Sequence, residues 1–361
     1  MKEVHNFSAG PAMLPKEVLI EAKNNFCNWK NNGFSIIEIS HRSHFFLEIV
    51  EEAENNVREL LNIPNNYQVL FCPGGARGQF AAIPMNLLNK NDEADYINSG
   101  YWSNLAAIES SKYCCSNIIN VKQIYEEKKS ILSMKYWNLS EKSVYVHYCP
   151  NETISGMAIH EEPNFFDKKI ICDFSSFIFS KVIDIKKYSL IYASSQKNIG
   201  PAGITIIIIL DELIKKAQKI TPSILNYKIL LNSRSMFNTP ATFSWYLSGL
   251  VFKWIKKMGG VQKMELLNQR KAKYLYSVID SSCIYINDIH PKNRSMTNVV
   301  FKLKELDLEK KFLIESEKQG FLFLKNHFIE GGIRASIYNS MDIKSVKSLS
   351  EFMVFFEKQY G

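Results

Sequence analysis

Short apolar runs, each cut off by a glycine, a proline or a polar residue and separated by amphipathic stretches, constrain this chain more than any other feature. From Phe46 the apolar positions Phe46, Ile49, Val50, Ala53, Val57, Leu60 and Leu61 recur at helical spacing with glutamates between them, which predicts a helix ending near Asn62 and Pro64. The run Val69-Leu70-Phe71-Cys72 follows and enters Pro73-Gly74-Gly75, so it reads as a strand running into a turn. Similar runs stand at Ala94 to Ile97, Val144 to Tyr148, Lys169 to Cys172, Leu190 to Ala193 and Ile204 to Leu210. Strands interleaved with helices in this way predict an α/β fold whose sheet is covered on both faces.

Beyond about residue 260 the pattern changes. Helical stretches near 261–279 and 307–319 flank a strand at Asn298 to Leu303, and Gly320 reads as a helix stop. Gly331-Gly332 precedes a strand from Ile333 to Tyr338, and a last amphipathic helix covers about 343–358. This end is expected to form a smaller α+β domain, with a helix from Ser244 to Met258 as the bridge. The 361 residues are long enough for two such units.

The formal charge is 44 − 36 = +8, and 46% of the residues are hydrophobic, as in ordinary globular proteins. The lysines come in scattered pairs such as Lys128-Lys129 and Lys310-Lys311, usually near acids, with no basic block carrying interleaved aromatics. A solvated surface is expected, not a nucleic-acid interface. Seven cysteines with no C-x-x-C pair fit neither a disulfide framework nor a zinc knuckle, and point to a reducing compartment. The start of the chain lacks an apolar signal-like run, and the longest aliphatic run, Ile204 to Leu210, is far short of the roughly 18 residues that suggest a membrane span. A cytoplasmic location without membrane contact follows as an expectation.

Three features carry chemistry in a sensible chain order. Gly74-Gly75-Ala76-Arg77-Gly78 joins a strand to a helical stretch beginning near Gln79; backbone N–H groups there can close on an anion, and the helix dipole favours a phosphate. It is neither G-x-G-x-x-G nor a Walker A loop, and a plain glycine turn reads the same. Asp173 ends the run Lys169 to Cys172; an aspartate beneath a pyridine nitrogen keeps it protonated, although strand ends also carry Asp as helix caps. Lys197, in Gln196-Lys197-Asn198-Ile199-Gly200-Pro201-Ala202-Gly203, follows the next strand. A lysine in such a turn can be partly desolvated, which favours the neutral amine that forms a Schiff base; a surface lysine is the alternative. Together the three point to pyridoxal phosphate over a nicotinamide.

Trp102 could stack on a flat cofactor ring or simply fill the core. Arg42, in His41-Arg42-Ser43-His44, and Arg334, after Gly331-Gly332, could grip a dianionic substrate by bidentate bonds, or form surface salt bridges. His41 and His44 lack a third metal ligand, and no metal is expected.

At this point the residues resemble a known family, the bacterial phosphoserine aminotransferases among the class-V aminotransferases, with the type I fold of aspartate aminotransferase. The likeness runs over essentially the whole chain. It is carried by Asn6 to Pro15, Phe71 to Phe80, His147 to Thr153, Asp173 to Ser176, Gln196 to Gly203, Ser235 to Pro240 and Gly332 to Tyr338. It implies a large pyridoxal-phosphate domain at 16–260, with a mixed, mostly parallel seven-stranded sheet between helices, and a smaller α+β domain from 1–15 and 261–361.

The resemblance also implies roles. Lys197 would hold the cofactor as a Schiff base, Asp173 would pair with the ring nitrogen and Trp102 would stack on the ring. Ala76 and Arg77 would donate backbone N–H groups to the cofactor phosphate, Gln196 would contact it too, and Thr153 would contact the ring substituent. In a homodimer, Asn238 and Thr239 would reach the phosphate of the neighbouring subunit's cofactor. Arg42 and Arg334, helped by His41, Arg77 and His327, would bind the substrates. The implied reaction moves an amino group between L-glutamate and 3-phosphohydroxypyruvate, with 4-phosphohydroxythreonine left open as a further substrate in pyridoxine synthesis. Ala9 stands where the family often has Ser, and Ala76 and Pro73 where it has a third Gly or a His. A lyase or desulfurase on the same fold is the rival; a non-catalytic relative would be signalled by loss of Lys197 or Asp173, and neither is lost.

Overall fold

Side chains alternate across a strand with period two, so a strand that is apolar at every position is buried on both faces. The run Ile204–Leu210, apolar at every position but Thr205, is of this kind. In the computed structural model, which describes residues 4–165, 168–214 and 217–361, it lies within a seven-stranded sheet. The first three residues of the expected small domain therefore lie outside the described residues.

The first part of the chain runs β1 (His5–Asn6), α1 (Lys16–Phe26), α2 (His44–Leu61), β2 (Tyr67–Pro73), α3 (Ala76–Leu87), β3 (Glu93–Asn98), α4 (Tyr101–Ser110) and β4 (Cys115–Asn120). A hairpin of β5 (Lys122–Tyr125) and β6 (Lys128–Ile131) leads to β7 (Ser143–Tyr148) and the short pair β8 (Asn151–Glu152) and β9 (Met157–Ala158). Then come β10 (Lys169–Asp173), β11 (Leu190–Ser194), β12 (Ile204–Leu210), α5 (Tyr227–Asn232) and α6 (Thr242–Lys257). The sheet order is β2-β12-β11-β10-β7-β3-β4. All neighbours are parallel except β12, which is antiparallel to both β11 and β2.

The expected cover on both faces is present. Ile206 and Ile208 of β12 join Phe71, Val146 and Ile191 in a cluster with Phe46, Val50 and Val57 of α2 and Trp245 and Leu250 of α6. Ile207 and Ile209, one residue out of phase, join Tyr145, Ile171 and Tyr192 against Phe80 and Ile83 of α3 and Ala106 of α4. Each such aliphatic side chain contributes about 1.5–3 kcal/mol when fully buried. Helix α2 starts where the Ser43 hydroxyl accepts the Phe46 N–H and stops at Asn62, whose left-handed backbone ends it as expected.

The remaining chain gives α7 (Gly260–Ser281), β13 (Tyr285–Ile286), β14 (Asn298–Leu303), α8 (Leu306–Lys318), β15 (Phe321–Leu322), β16 (Ile333–Ser336) and α9 (Ile343–Tyr360). Strands β13, β14 and β16 form an antiparallel sheet. Its core contains Leu275, Phe301, Phe312, Ile333, Leu349 and Met353, joined by Phe7 from the other end of the chain. That joining is local as well as apolar, because β1 pairs in parallel with β15.

Two expectations need correcting. The strand predicted through Tyr338 stops at Ser336. Past Ser336 the Ile337 N–H still reaches the Thr297 carbonyl at 2.8 Å, but the buried Lys271 of α7 donates Nζ to the carbonyls of Ile337, Tyr338 and Met341, at 3.0, 2.7 and 2.9 Å, so these are taken by a side chain and not by a neighbouring strand. The helix expected to begin near Gln79 begins instead at Ala76, so the glycine loop leads directly into the helix N-terminus.

Candidate active site

The C-terminal ends of β2, β7, β10 and β11 lie at one edge of the sheet, and the polar residues that end these strands converge there. Asp173 is the last residue of β10, 5% exposed, and its Oδ1 accepts the Ser175 N–H at 2.9 Å. Burial pushes its carboxyl up from the usual carboxylate range, while the Ser175 bonds, the Lys197 charge and the Tyr192 hydroxyl pull it back down.

Lys197 sits in the turn after β11, 9% exposed, and its Nζ donates to Thr153 Oγ1 at 2.7 Å. The amine is thus an aimed interior group, not the surface lysine that the sequence also allowed. Thr153 follows β8, and its carbonyl accepts from Arg334 Nη1 of β16 at 3.4 Å. Lys197, Thr153 and Arg334, far apart in the chain, therefore form one line of contacts. Burial lowers the Arg334 guanidinium from its ordinary value, with Tyr338 opposing, and an arginine stays charged through such a shift.

The glycine loop provides the anion end. Gly75 caps α3 with no side-chain hydrogen bond, so the first N–H groups of that helix, at Ala76 and Arg77, have no intrahelical acceptor. Gln196 lies beside this loop's neighbour Ser194, whose hydroxyl donates to Gln196 Oε1, and the Gln196 carbonyl accepts from Ala12 N at 2.8 Å. The segment around Ala9 is held nearby, because Tyr338 donates its hydroxyl to the Ala9 carbonyl at 3.1 Å.

Trp102 lies in the first turn of α4, half-buried, with the Arg77 guanidinium 5.8 Å from its ring centroid. His327 reaches the same helix, its ring 5.6 Å from that of Tyr101. The loop carrying it is tied to the site by Asn326, which donates to the Ile154 carbonyl at 3.0 Å.

Glu152, within the segment His147 to Thr153, carries no role in the motif. Its carboxylate, 1% exposed, accepts the N–H groups of Trp102 and Ser103, both at 2.9 Å, and the Ser103 hydroxyl at 2.7 Å. A carboxylate at a helix N-terminus is favoured by the dipole, and here it fixes the turn that carries Trp102. Burial raises the Glu152 carboxyl, opposed by these same hydrogen bonds. Gly100 makes room for it: a Cβ there would stand 2.5 Å from Glu152 Cδ. An acid directly before Thr153, with a glycine two residues before Trp102, was the available signal.

Four expected residues are not brought to this cluster. Arg42, Asn238 and Thr239 are exposed, and His41 is half-buried with Nε2 unpartnered. Among the described residues, the Arg42 guanidinium has no hydrogen bond or ion pair, and Asn238 makes only a 3.4 Å bond to the Thr239 carbonyl.

The donor set suits pyridoxal phosphate. A buried amine meets an aldehyde, a buried carboxylate meets a ring nitrogen, and an uncapped helix N-terminus after glycines meets a phosphate. Among the described residues, Trp102 Nε1 and Arg334 Nε are buried without a hydrogen-bond partner.

The family model for aminotransferase class-V matches residues 4–349. The phosphoserine aminotransferase of Buchnera aphidicola subsp. Schizaphis graminum is 58% identical over 361 residues, covering 100% of both chains. A phosphoserine aminotransferase structure concerned with radiation damage of the Schiff base superposes with a TM-score of 0.95 at 38% identity, covering 99% of this chain and 100% of that one. A pyridoxal-phosphate-bound phosphoserine aminotransferase from Trichomonas vaginalis gives 0.92 at 35% identity, covering 98% and 100%.

Proposed function

The chain belongs to the class-V aminotransferase family and, within it, to the phosphoserine aminotransferases; from that premise we propose how its own residues carry out the transfer of an amino group between L-glutamate and 3-phosphohydroxypyruvate. The products are 2-oxoglutarate and O-phospho-L-serine, and the reaction is a step of serine biosynthesis. The observation that carries the residue assignment is the buried Lys197 Nζ, held 2.7 Å from Thr153 Oγ1 at the strand ends that also bear Asp173.

Pyridoxal phosphate supplies, when bound, an aldehyde that an amine can capture and a ring that takes up the electrons left when the substrate loses its α-proton. Lys197 would anchor the group covalently through Nζ, and the same nitrogen, once free, would be the base that takes the substrate α-proton and moves it off the α-carbon. Thr153 orients that nitrogen and contacts the ring substituent. Asp173 holds the proton on the ring nitrogen, and Trp102 covers a face of the ring, backed by Arg77. The backbone N–H groups of Ala76 and Arg77 hold the phosphate, with Gln196 beside them.

Both substrates carry two anionic ends, so arginines define the specificity better than an apolar pocket would. Arg334 lies against the Thr153 carbonyl and faces the site; Arg42 binds the other anionic end, with His41, Arg77 and His327 assisting. The exposure of Arg42, Asn238 and Thr239 in the single chain supports a homodimer in which Asn238 and Thr239 reach the phosphate in the neighbouring subunit. Residues 16–260 then serve as the cofactor body, and 1–15 with 261–361 as the smaller domain. Val261 and Met264 pack with the larger core and Leu275 with the smaller, which makes α7 the joint in place of the helix expected from Ser244 to Met258, whose Trp245, Leu250 and Ile255 belong to the larger core. No described helix is long and apolar enough to cross a membrane, and all seven cysteines are free, which favours the cytoplasm.

The deciding measurement is the visible spectrum of the purified holoenzyme before and after L-glutamate alone. Glutamate is expected to bleach the cofactor band and 3-phosphohydroxypyruvate to restore it, as a two-stage transfer requires. A band that glutamate leaves unchanged overturns the transaminase reading in favour of a lyase or desulfurase.

A further inference from the structure

Asp173, Tyr192 and His147 stand on three adjacent parallel strands, β10, β11 and β7, and alternation puts their side chains on the same face of the sheet. Asp173 and Tyr192 are direct partners in the register. Tyr192 Oη lies 2.8 Å from His147 Nε2. All three residues are at least nine-tenths buried. The proposed chemistry uses Asp173 and gives the other two no part.

The bonding of His147 sets a direction. Its Nδ1 is buried with no hydrogen-bond partner among the described residues. Burial drives the imidazole down to about 3, so the ring is neutral and carries one N–H. A proton on Nδ1 would be a buried donor without an acceptor, a rarer and costlier state than an unused acceptor. The proton therefore belongs on Nε2 and is donated to the Tyr192 oxygen. The ring is locked in this pose by stacking on Tyr96, with centroids 4.9 Å apart and 28° between planes. With its oxygen already accepting, Tyr192 has its own proton to give, and the carboxylate opposite it in the register, whose Oδ1 already takes the Ser175 N–H, is the acceptor placed to receive it. Burial keeps the phenol far from ionising, and its proximity pulls the Asp173 carboxyl down.

We propose that His147 and Tyr192 are positioning residues of the reaction: a one-way donor chain, His147 to Tyr192 to Asp173, that aims Asp173 and keeps it an anion toward the ring nitrogen of pyridoxal phosphate. This rests on the role given to Asp173 above. Neither residue touches substrate. The chain acts on how fully Asp173 holds the ring proton, so it bears on kcat and on the state of the ring nitrogen and leaves substrate binding alone.

The test uses the holoenzyme reconstituted with pyridoxal phosphate carrying 15N in the ring, whose nitrogen resonance reports protonation directly, alongside kcat, KM and apoprotein melting. Asp173→Asn is the reference and is expected to move the resonance furthest toward neutral pyridine. Tyr192→Phe, which deletes one oxygen, should move it part of the way and lower kcat about tenfold, the equivalent of about one unit of pKa, with KM little changed. His147→Phe should act in the same direction and less, and His147→Gln, which keeps a side-chain N–H, should recover most of the loss. If His147→Phe does not fold, Tyr192→Phe and His147→Gln decide the matter. A resonance unmoved by Tyr192→Phe while Asp173→Asn shifts it overturns the donor chain and leaves the role of Asp173 standing. A resonance unmoved by Asp173→Asn as well overturns that role, and the chain with it.

Discussion

Two regions of the molecule carry the residues expected to act, and they differ in how finished they are. At the strand ends, Lys197, Thr153, Asp173 and Glu152 are buried and each polar group is engaged by another. On the outer loops, Arg42, Asn238 and Thr239 lie exposed with no partner in the cluster. A buried polar group must be satisfied by the chain's own fold, or the fold loses stability, so the first region is preorganised before any ligand arrives. An exposed group meets no such demand. The comparison teaches that one chain by itself finishes the buried strand-end region, and on the proposed reading it leaves the exposed rim to be completed by a second copy.

The largest effect should come from the finished region. On the proposed assignment Lys197→Ala removes both the anchor and the base and should abolish the visible cofactor band and turnover; a substantial remaining rate would show that the amine was wrongly assigned. Next comes Glu152→Ala, which orphans the N–H groups of Trp102 and Ser103 and the Ser103 hydroxyl. Hydrogen bonds to a charged acceptor are each worth roughly 1.5–3 kcal/mol, so melting of the apoprotein should show a loss of at least about 2 kcal/mol, accompanied by a changed Trp102 fluorescence. An unaltered melting point and emission would mean that the helix turn holds itself.

Much of this region was legible in the sequence because the same physics marks both. A strand end is where an apolar run gives way to polar residues, so Asp173 and Lys197 were visible as breaks in pattern, and Gly74-Gly75 as a loop before a helix. What could not be read was the pairing across strands. Nothing in the run Val144 to Tyr148 says that His147 meets Tyr192 of β11, because register and strand order are set by packing far away in the chain. Glu152 was hidden for the same reason: its partners lie 49 and 50 residues back. The end of β16 depended on Lys271, on a helix more than 60 residues earlier. On the outer loops Arg42 was legible as a guanidinium able to grip an anion, whereas Asn238 and Thr239 were legible only through resemblance, since an exposed polar residue looks the same in sequence whether or not a partner covers it.

On the loops the effects should be smaller and should split by ligand. If Arg42 binds an anionic end of the substrate as proposed, Arg42→Ala removes a charge-assisted contact worth about 1.5–3 kcal/mol. The Michaelis constants of both glutamate and 3-phosphohydroxypyruvate should rise about tenfold or more, with the cofactor band and melting unchanged. Unchanged Michaelis constants would remove Arg42 from the site.

The finest test is Asn238→Ala. If the residue reaches the phosphate in the neighbouring subunit, its loss removes one neutral hydrogen bond, worth about 0.5–1.5 kcal/mol, and should weaken cofactor retention a few-fold without altering melting of the apoprotein. The effect should also depend on concentration, since dilution that separates subunits removes the contact from the unsubstituted protein too, and the two proteins should then converge in cofactor affinity. A difference that persists equally at concentrations where only monomer is present would place Asn238 in its own subunit's site, and the contrast between a self-built half and an assembled rim would have to be redrawn at this loop.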